Sequence, residues 1–133
     1  MVMRVVVVDP DEILVDESAT MVITRTVEGG EIAFQPGHSP FMGALTTNHT
    51  RIVRTGGEVV DVAVHGGFVH VLDSTVTILA DIAELGREID IARAQRARER
   101  AERRLSKGPD AVASQALSRS LARLYAARVG GLG

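Results

Sequence analysis

The stretch "TVTILADIAELGREIDIARAQRARERAERRL", residues 75–105, changes character halfway. Its first part sets β-branched residues in alternation with others, the mark of a strand. After Glu84 the β-branched residues thin out. Gly86 reads as a hinge and Asp90 as a helix N-cap, and Ala, Arg and Glu then dominate to Leu105. "SKGP", residues 106–109, is a stop and turn. A second helix is predicted from about Asp110 to Arg128, with Ala113, Leu117, Leu121 and Leu124 near one face and Gly130-Gly131 as its end. The chain therefore reads as a β unit carrying a two-helix hairpin.

Upstream of this switch, "RVVVVD", "TMVITRT", "GEIAF", "TRIVRT", "EVVDVAV" and "GFVHVLD" also read as short strands. Val60, Val62 and Val64 point to one face while Asp61 and His65 point to the other. Asp9-Pro10, Gly29-Gly30, Pro36-Gly37, Gly56-Gly57 and Gly66-Gly67 recur at the spacing of hairpin turns. Short strands so closely spaced predict a small antiparallel sandwich or flattened barrel.

Composition narrows the function. Of 133 residues 45% are apolar, with three Phe, one Tyr and no Trp, so the core is aliphatic. The absence of cysteine excludes disulfides and thiolate metal sites. The apolar run in "MVMRVVVVDPDE" is too short for a signal peptide or a bilayer span. A cytoplasmic protein is expected, touching a membrane only through a larger complex. The net charge of −2 hides a split: residues 1–87 hold five Arg against twelve acidic residues, whereas residues 88–133 hold ten Lys or Arg against five. Such a reversal marks two units with different partners.

At ~100° per residue, Arg93, Arg96, Arg100, Arg103 and Arg104 fall within an arc of roughly 100° on the first helix. Ile91, Ala94, Ala97, Ala101 and Leu105 take the next arc, and Gln95, Glu99 and Glu102 the third. Arg119 and Arg123 form an i, i+4 pair on the second helix, able to approach Arg93 and Arg100 when the hairpin closes on its alanine stripe. A solvated charged face is the plainest account. Nucleic acid is disfavoured, because the body is acidic and no aromatic stacking platform or binding motif is present. A bound triphosphate or an acidic protein surface needs only clustered guanidiniums on a movable element.

"GEIAFQPGHSPFMGAL", "VHGGFVHVLDSTVTILAD", "EIDIARA" and "ERAERRL" together resemble the epsilon-subunit family of F-type ATP synthases, over essentially the whole chain. Each motif is weak alone, and their order and placement make the set specific. The resemblance implies a mainly β plus α fold: an N-terminal antiparallel β-sandwich of about ten strands at residues 1–85 and a helical hairpin at residues 88–133. It implies a non-catalytic central-stalk subunit on the cytoplasmic face of the cell membrane, peripheral to it, that couples ion translocation to ATP synthesis. Its implied partners are the gamma subunit, the rotor c-ring and, through an extended hairpin that inhibits ATP hydrolysis, the catalytic alpha and beta subunits. Glu31, Pro36, Gly37, His38, Phe41 and Met42 would lie at the gamma and rotor-ring contacts, in a loop from Glu31 to Met42.

No cofactor is required, and ATP enters as a regulatory ligand. Ile89, Asp90, Arg93 and Ala94 match the family's nucleotide motif, Glu84 occupies the acidic position before it, and Arg100, Arg119 and Arg123 supply further guanidiniums. ATP would be bound without hydrolysis, since the chain has no Walker glycine loop. The alternative is a free-standing ATP-binding sensor module. Ala33 and the Phe41-Met42 pair depart from the family's usual glycine and leucine pair. The four histidines, 38, 49, 65 and 70, lack tight metal-ligand spacing, with His65 and His70 expected on adjacent strands. No residue is assigned a catalytic role.

Overall fold

A computed structural model describes residues 1–132, with side chains as far as Arg128. Seven strands form among the described residues: β1 (Met3–Val8), β2 (Ile13–Thr26), β3 (Gly30–Phe34), β4 (Phe41–Arg54), β5 (Val59–Leu72), β6 (Thr75–Ala80) and β7 (Ala83–Leu85). A short 3₁₀ turn, Gly86–Glu88, leads into α1 (Ile91–Leu105) and α2 (Ala111–Leu132). The strands run in the order β1-β6-β5-β4-β2-β3, and β1 also pairs with β2, which closes a five-strand ring. β7 pairs with β5. The predicted combination of a closed-up β unit and a helical hairpin is present.

Two details differ. Strands number seven among the described residues rather than the about ten that the resemblance implies, and β5, 14 residues long, joins the two runs "EVVDVAV" and "GFVHVLD" that look separate. One pairing, β1 with β6, is parallel rather than antiparallel. It is the ladder that brings the late strand back beside the first and shuts the ring.

Gly66-Gly67 is a corner inside β5 and not a turn. β5 pairs with β7 over Val62–Val64 and with β6 over Gly67–Leu72, so it changes partners at the glycines. Both have positive φ, +81° and +127°, and a Cβ on Gly67 would lie 2.2 Å from the Leu79 carbonyl oxygen. No side chain fits there. The actual β5–β6 turn is Asp73-Ser74, with φ of 49° and 58°. Positive φ at both central residues is the twist that two-residue hairpins require. Ala33 has no positive φ, so its departure from glycine costs β3 nothing.

The ring encloses Val5, Val7, Val22, Phe34, Ile52, Val62, Val64, Val69 and Ile78, all buried. On β5 the outward residues Asp61, Ala63 and His65 are buried as well. The alternation sets Asp61 and His65 on the face opposite the valines, and α2 covers that face. α2 packs on β4, β5 and the 3₁₀ turn, and α1 packs along α2. The buried residues of α2 are small: Ala113, Ser120, Ala122, Ala126 and Ala127. Leu117, Leu121 and Leu124, expected near one face with Ala113, are only half-buried. Where hairpin meets barrel, Ala63, Ala122 and Ala126 form a cluster with Ile89 against it.

Gly86, read from sequence as a hinge, is a seat. A Cβ there would lie 2.3 Å from the Ala126 carbonyl oxygen. Asp90 does cap α1, accepting from the Arg93 backbone N–H at 3.0 Å. Ala94 and Ala101 are buried along the predicted stripe, but Ile91 is 46% exposed. Asp110 caps α2 through the Ala113 N–H at 2.9 Å and pairs with Arg104 at 2.8 Å. These two bonds hold the Asp110 carboxyl below its ordinary range, the cap first. α2 continues through Gly130 and Gly131 to Leu132, beyond its predicted end. Among the described residues no helix is long and apolar enough to cross a membrane.

Candidate functional site

A cleft of about 450 Å³ opens between the start of α1, the middle of α2 and the last strand of the barrel. Its walls follow from the local structure. The 3₁₀ turn and the Asp90 cap set the axis of α1, so that Arg93, Ala94, Ala97 and Arg100 face inward at i, i+1, i+4 and i+7. Ile89 and Asp90 close one end, and Glu84 of β7 and Arg123 of α2 form the floor. Of the residues singled out from sequence, Glu84, Ile89, Asp90, Arg93, Ala94, Arg100 and Arg123 come together here. Arg119 does not line the cleft, lying one turn before Arg123. Glu88 and Ala97 do line it. Ala97 could have been found on the alanine stripe, three residues past Ala94.

The charges are unevenly spent. Glu84 Oε1 accepts from Arg123 Nε at 2.7 Å and from His65 Nε2 at 2.7 Å. The His65 hydrogen bond, followed by that of Arg123, holds the Glu84 carboxyl down to about 2 against its partial burial. Asp90 is occupied with its cap. Arg93 and Arg100, by contrast, make no ion pair among the described residues, whereas Arg98 pairs with Glu102 and Arg104 with Asp110. Two guanidiniums without an ion pair among the described residues and a third held by one edge carry the charge and the donors that a multiply charged anion requires.

A second polar cluster lies further along the same seam. His49 Nδ1 is 3.0 Å from both carboxylate oxygens of Asp61, and the His49 ring stacks on Tyr125 of α2 with centroids 5.5 Å apart. Burial pushes the Asp61 carboxyl up, and the His49 hydrogen bond opposes it. Sequence reasoning missed both histidine pairs. Their only trace was the polar set at Asp61 and His65 in an otherwise apolar strand. His65 and His70 share strand β5 instead of lying on neighbouring strands. Among the described residues no group of three metal-ligating side chains occurs.

The loop-centred set is spread over β3, the turn after it and the start of β4, and none of it lines the cleft. Glu31 lies within β3 and pairs with Arg51 at 2.9 Å. Pro36, Gly37 and His38 form the turn after β3, with the His38 ring edge-on to Phe34 at 4.9 Å. Phe41 and Met42 open β4 rather than ending a loop, and Met42 is 70% exposed. With Val27, Ala44 and Phe68 they line an apolar groove of about 560 Å³.

Comparison with known proteins gives this geometry a context. Residues 2–86 match the family model "ATP synthase, Delta/Epsilon chain, beta-sandwich domain", and residues 87–128 match "ATP synthase, Delta/Epsilon chain, long alpha-helix domain". The chain is 46% identical over 104 residues to the ATP synthase epsilon chain of Brevibacillus brevis, covering 78% of each. It is 48% identical over 103 residues to that of Alkalihalophilus pseudofirmus, covering 77% of this chain and 76% of the relative. Among solved structures, it resembles a chain of the Euglena gracilis mitochondrial ATP synthase OSCP/F1/c-ring assembly. There the TM-score is 0.77 at 25% identity, over 96% of this chain and 81% of that one.

Proposed function

The chain belongs to the ATP synthase delta/epsilon family as an epsilon-type, non-catalytic subunit, and on that premise we propose that its hairpin is a regulatory arm which ATP holds folded on the barrel. The barrel, residues 1–85, serves as the body that grips the gamma subunit and rotor c-ring at the cytoplasmic face of the membrane. Glu31, Pro36, Gly37, His38, Phe41 and Met42 supply that grip, supported by the exposure of Met42 and the apolar groove beside it. Released, residues 88–133 extend toward the catalytic alpha and beta subunits and impede hydrolysis. A sensor acting alone gives way to this reading, because both family domains are matched within the one chain.

The observation that carries the proposal is the pair Arg93 and Arg100 of α1, without an ion pair among the described residues and facing Arg123 of α2 across a cleft floored by Glu84 of the barrel. A triphosphate seated there touches α1 and α2 at once. Magnitudes allow it to decide the pose. Three buried alanine methyls at the seam contribute about 2–3 kcal/mol, and the exposed side of the Arg123–Glu84 pair adds up to about 1 kcal/mol. A ligand at ten times its dissociation constant adds about 1.4 kcal/mol.

Titration of the full chain with ATP, read by calorimetry and by a probe pair spanning barrel and α1, tests this directly. Binding with shortening of the probe distance is expected, and Arg93→Ala with Arg100→Ala should weaken binding at least ~10-fold. Unchanged affinity in that double variant dismisses the pocket. In the assembled complex, deletion of residues 88–133 should raise ATP hydrolysis, and an unchanged rate dismisses the inhibitory arm.

A further inference from the structure

His65 does not line the cleft, yet it bonds Glu84 on the cleft floor. We propose that His65 is a positioning residue of the anion pocket: its buried imidazole fixes Glu84, which in turn grips one edge of the Arg123 guanidinium and leaves the other edge for the ligand. The proposal rests on reading the cleft as an anion site. His65 sits on β5 with its side chain 3% exposed, and its Nε2–H donates to the same carboxylate oxygen that accepts from Arg123 Nε–H. The carboxylate can only accept, so the hydrogen of this bond sits on Nε2 and the ring's other nitrogen, Nδ1, points away from Glu84.

Nδ1 is buried without a hydrogen-bond partner among the described residues. An apolar side chain would fill that space without the unpaired atom, so packing alone does not account for the imidazole. The bond to Glu84 does. The terminal nitrogens of Arg123 make no hydrogen bond among the described residues, while its Nε is fixed. A guanidinium clamped through Nε keeps its other donors aimed, so less side-chain entropy is lost when an anion arrives.

The test uses the full chain and the variants His65→Leu and His65→Gln. Gln keeps an N–H donor near the Nε2 position, and Leu keeps only volume. The first readout is the Arg123 Nε–H proton signal, assigned by its disappearance in Arg123→Lys. It should be sharp and slow to exchange in the wild type, kept in His65→Gln and lost in His65→Leu. The second readout is ATP affinity by calorimetry, expected within about twofold of wild type for Gln and about tenfold weaker for Leu. Retention of the Nε–H signal in His65→Leu overturns the proposal, as does equal loss in both variants, which would mark a packing role. If the wild type binds no ATP while the signal still follows the donor at position 65, the clamp stands and the anion reading alone falls.

Discussion

Inside the barrel the enclosed cluster is led by Phe34, Ile52, Ile78 and a set of valines, with Met3, Leu45 and three alanines, and none of it is charged. Beneath α2 the enclosed apolar side chains are Ala63, Ala122 and Ala126, flanked by the His65–Glu84–Arg123 and His49–Asp61 pairs. Both regions exclude water, but they gain by different means. A large aliphatic or aromatic core resists any opening, because each side chain contributes roughly 1.5–3 kcal/mol on burial. A seam of methyls contributes a fraction of that per residue and draws its specificity from hydrogen-bonded charges, whose worth depends on pH and on competing ions. The contrast suits a rigid body bearing a detachable arm.

The sharpest way to break this contrast is to cut into the barrel. Phe34→Ala should cost about 3–5 kcal/mol in urea denaturation, since its side chain is fully enclosed. A loss under about 1 kcal/mol would mean that the interior is no firmer than the seam.

Next in size is Gly86→Ala. The new Cβ meets a main-chain oxygen that cannot swing aside, so docking should weaken by about 1–3 kcal/mol while barrel unfolding changes little. A probe pair between β4 and α2 should lengthen, and an unchanged distance would remove Gly86 from the docking account.

Acid should loosen the seam by a smaller amount. The Glu84 carboxyl titrates near about 2 in the folded chain against an ordinary 4.5, so its contribution is complete above about pH 4.5 and disappears as pH falls through 2. With a third of the side chain exposed, roughly 1–2 kcal/mol is at stake. Asp61 works in the opposite sense, because burial favours its protonated form and acid relieves that penalty. Glu84→Gln should therefore remove the acid-induced loosening below pH 4.5, and a variant that loosens like the wild type would locate the effect elsewhere. The smallest effect belongs to Arg119→Ala. It should change ATP affinity less than ~2-fold, because its side chain lies outside the cleft lining. A tenfold loss would show that the cleft closes further on its ligand.

The sequence exposed some of this and hid the rest for identifiable reasons. The switch at Glu84–Asp90 and the inward row Arg93, Ala94, Arg100 follow from composition and helical period, which are local properties. Gly66-Gly67 misled because a glycine pair marks any sharp change in backbone direction, and a corner within a strand is as sharp as a hairpin. The parallel β1–β6 ladder joins strands some seventy residues apart, and nothing in either run announces its neighbour. The burial of Asp61 and His65 stayed hidden because alternation reports which side of a sheet a residue takes, not what lies over that side. Arg119 and Arg123 share a face by period, and only the position of α2 on the barrel separates the one that reaches the cleft from the one that stops a turn short.

The contact at Gly86 has a consequence for tolerance to change. What presses on it is the Ala126 carbonyl oxygen, an atom every amino acid carries. The Ala126 methyl is buried in the seam, so position 126 tolerates only a small side chain, whereas position 86 tolerates no Cβ at all. At this point the barrel touches the wound backbone of α2 itself, and local unwinding of α2 around residue 126 would erase the contact even with every charge still present.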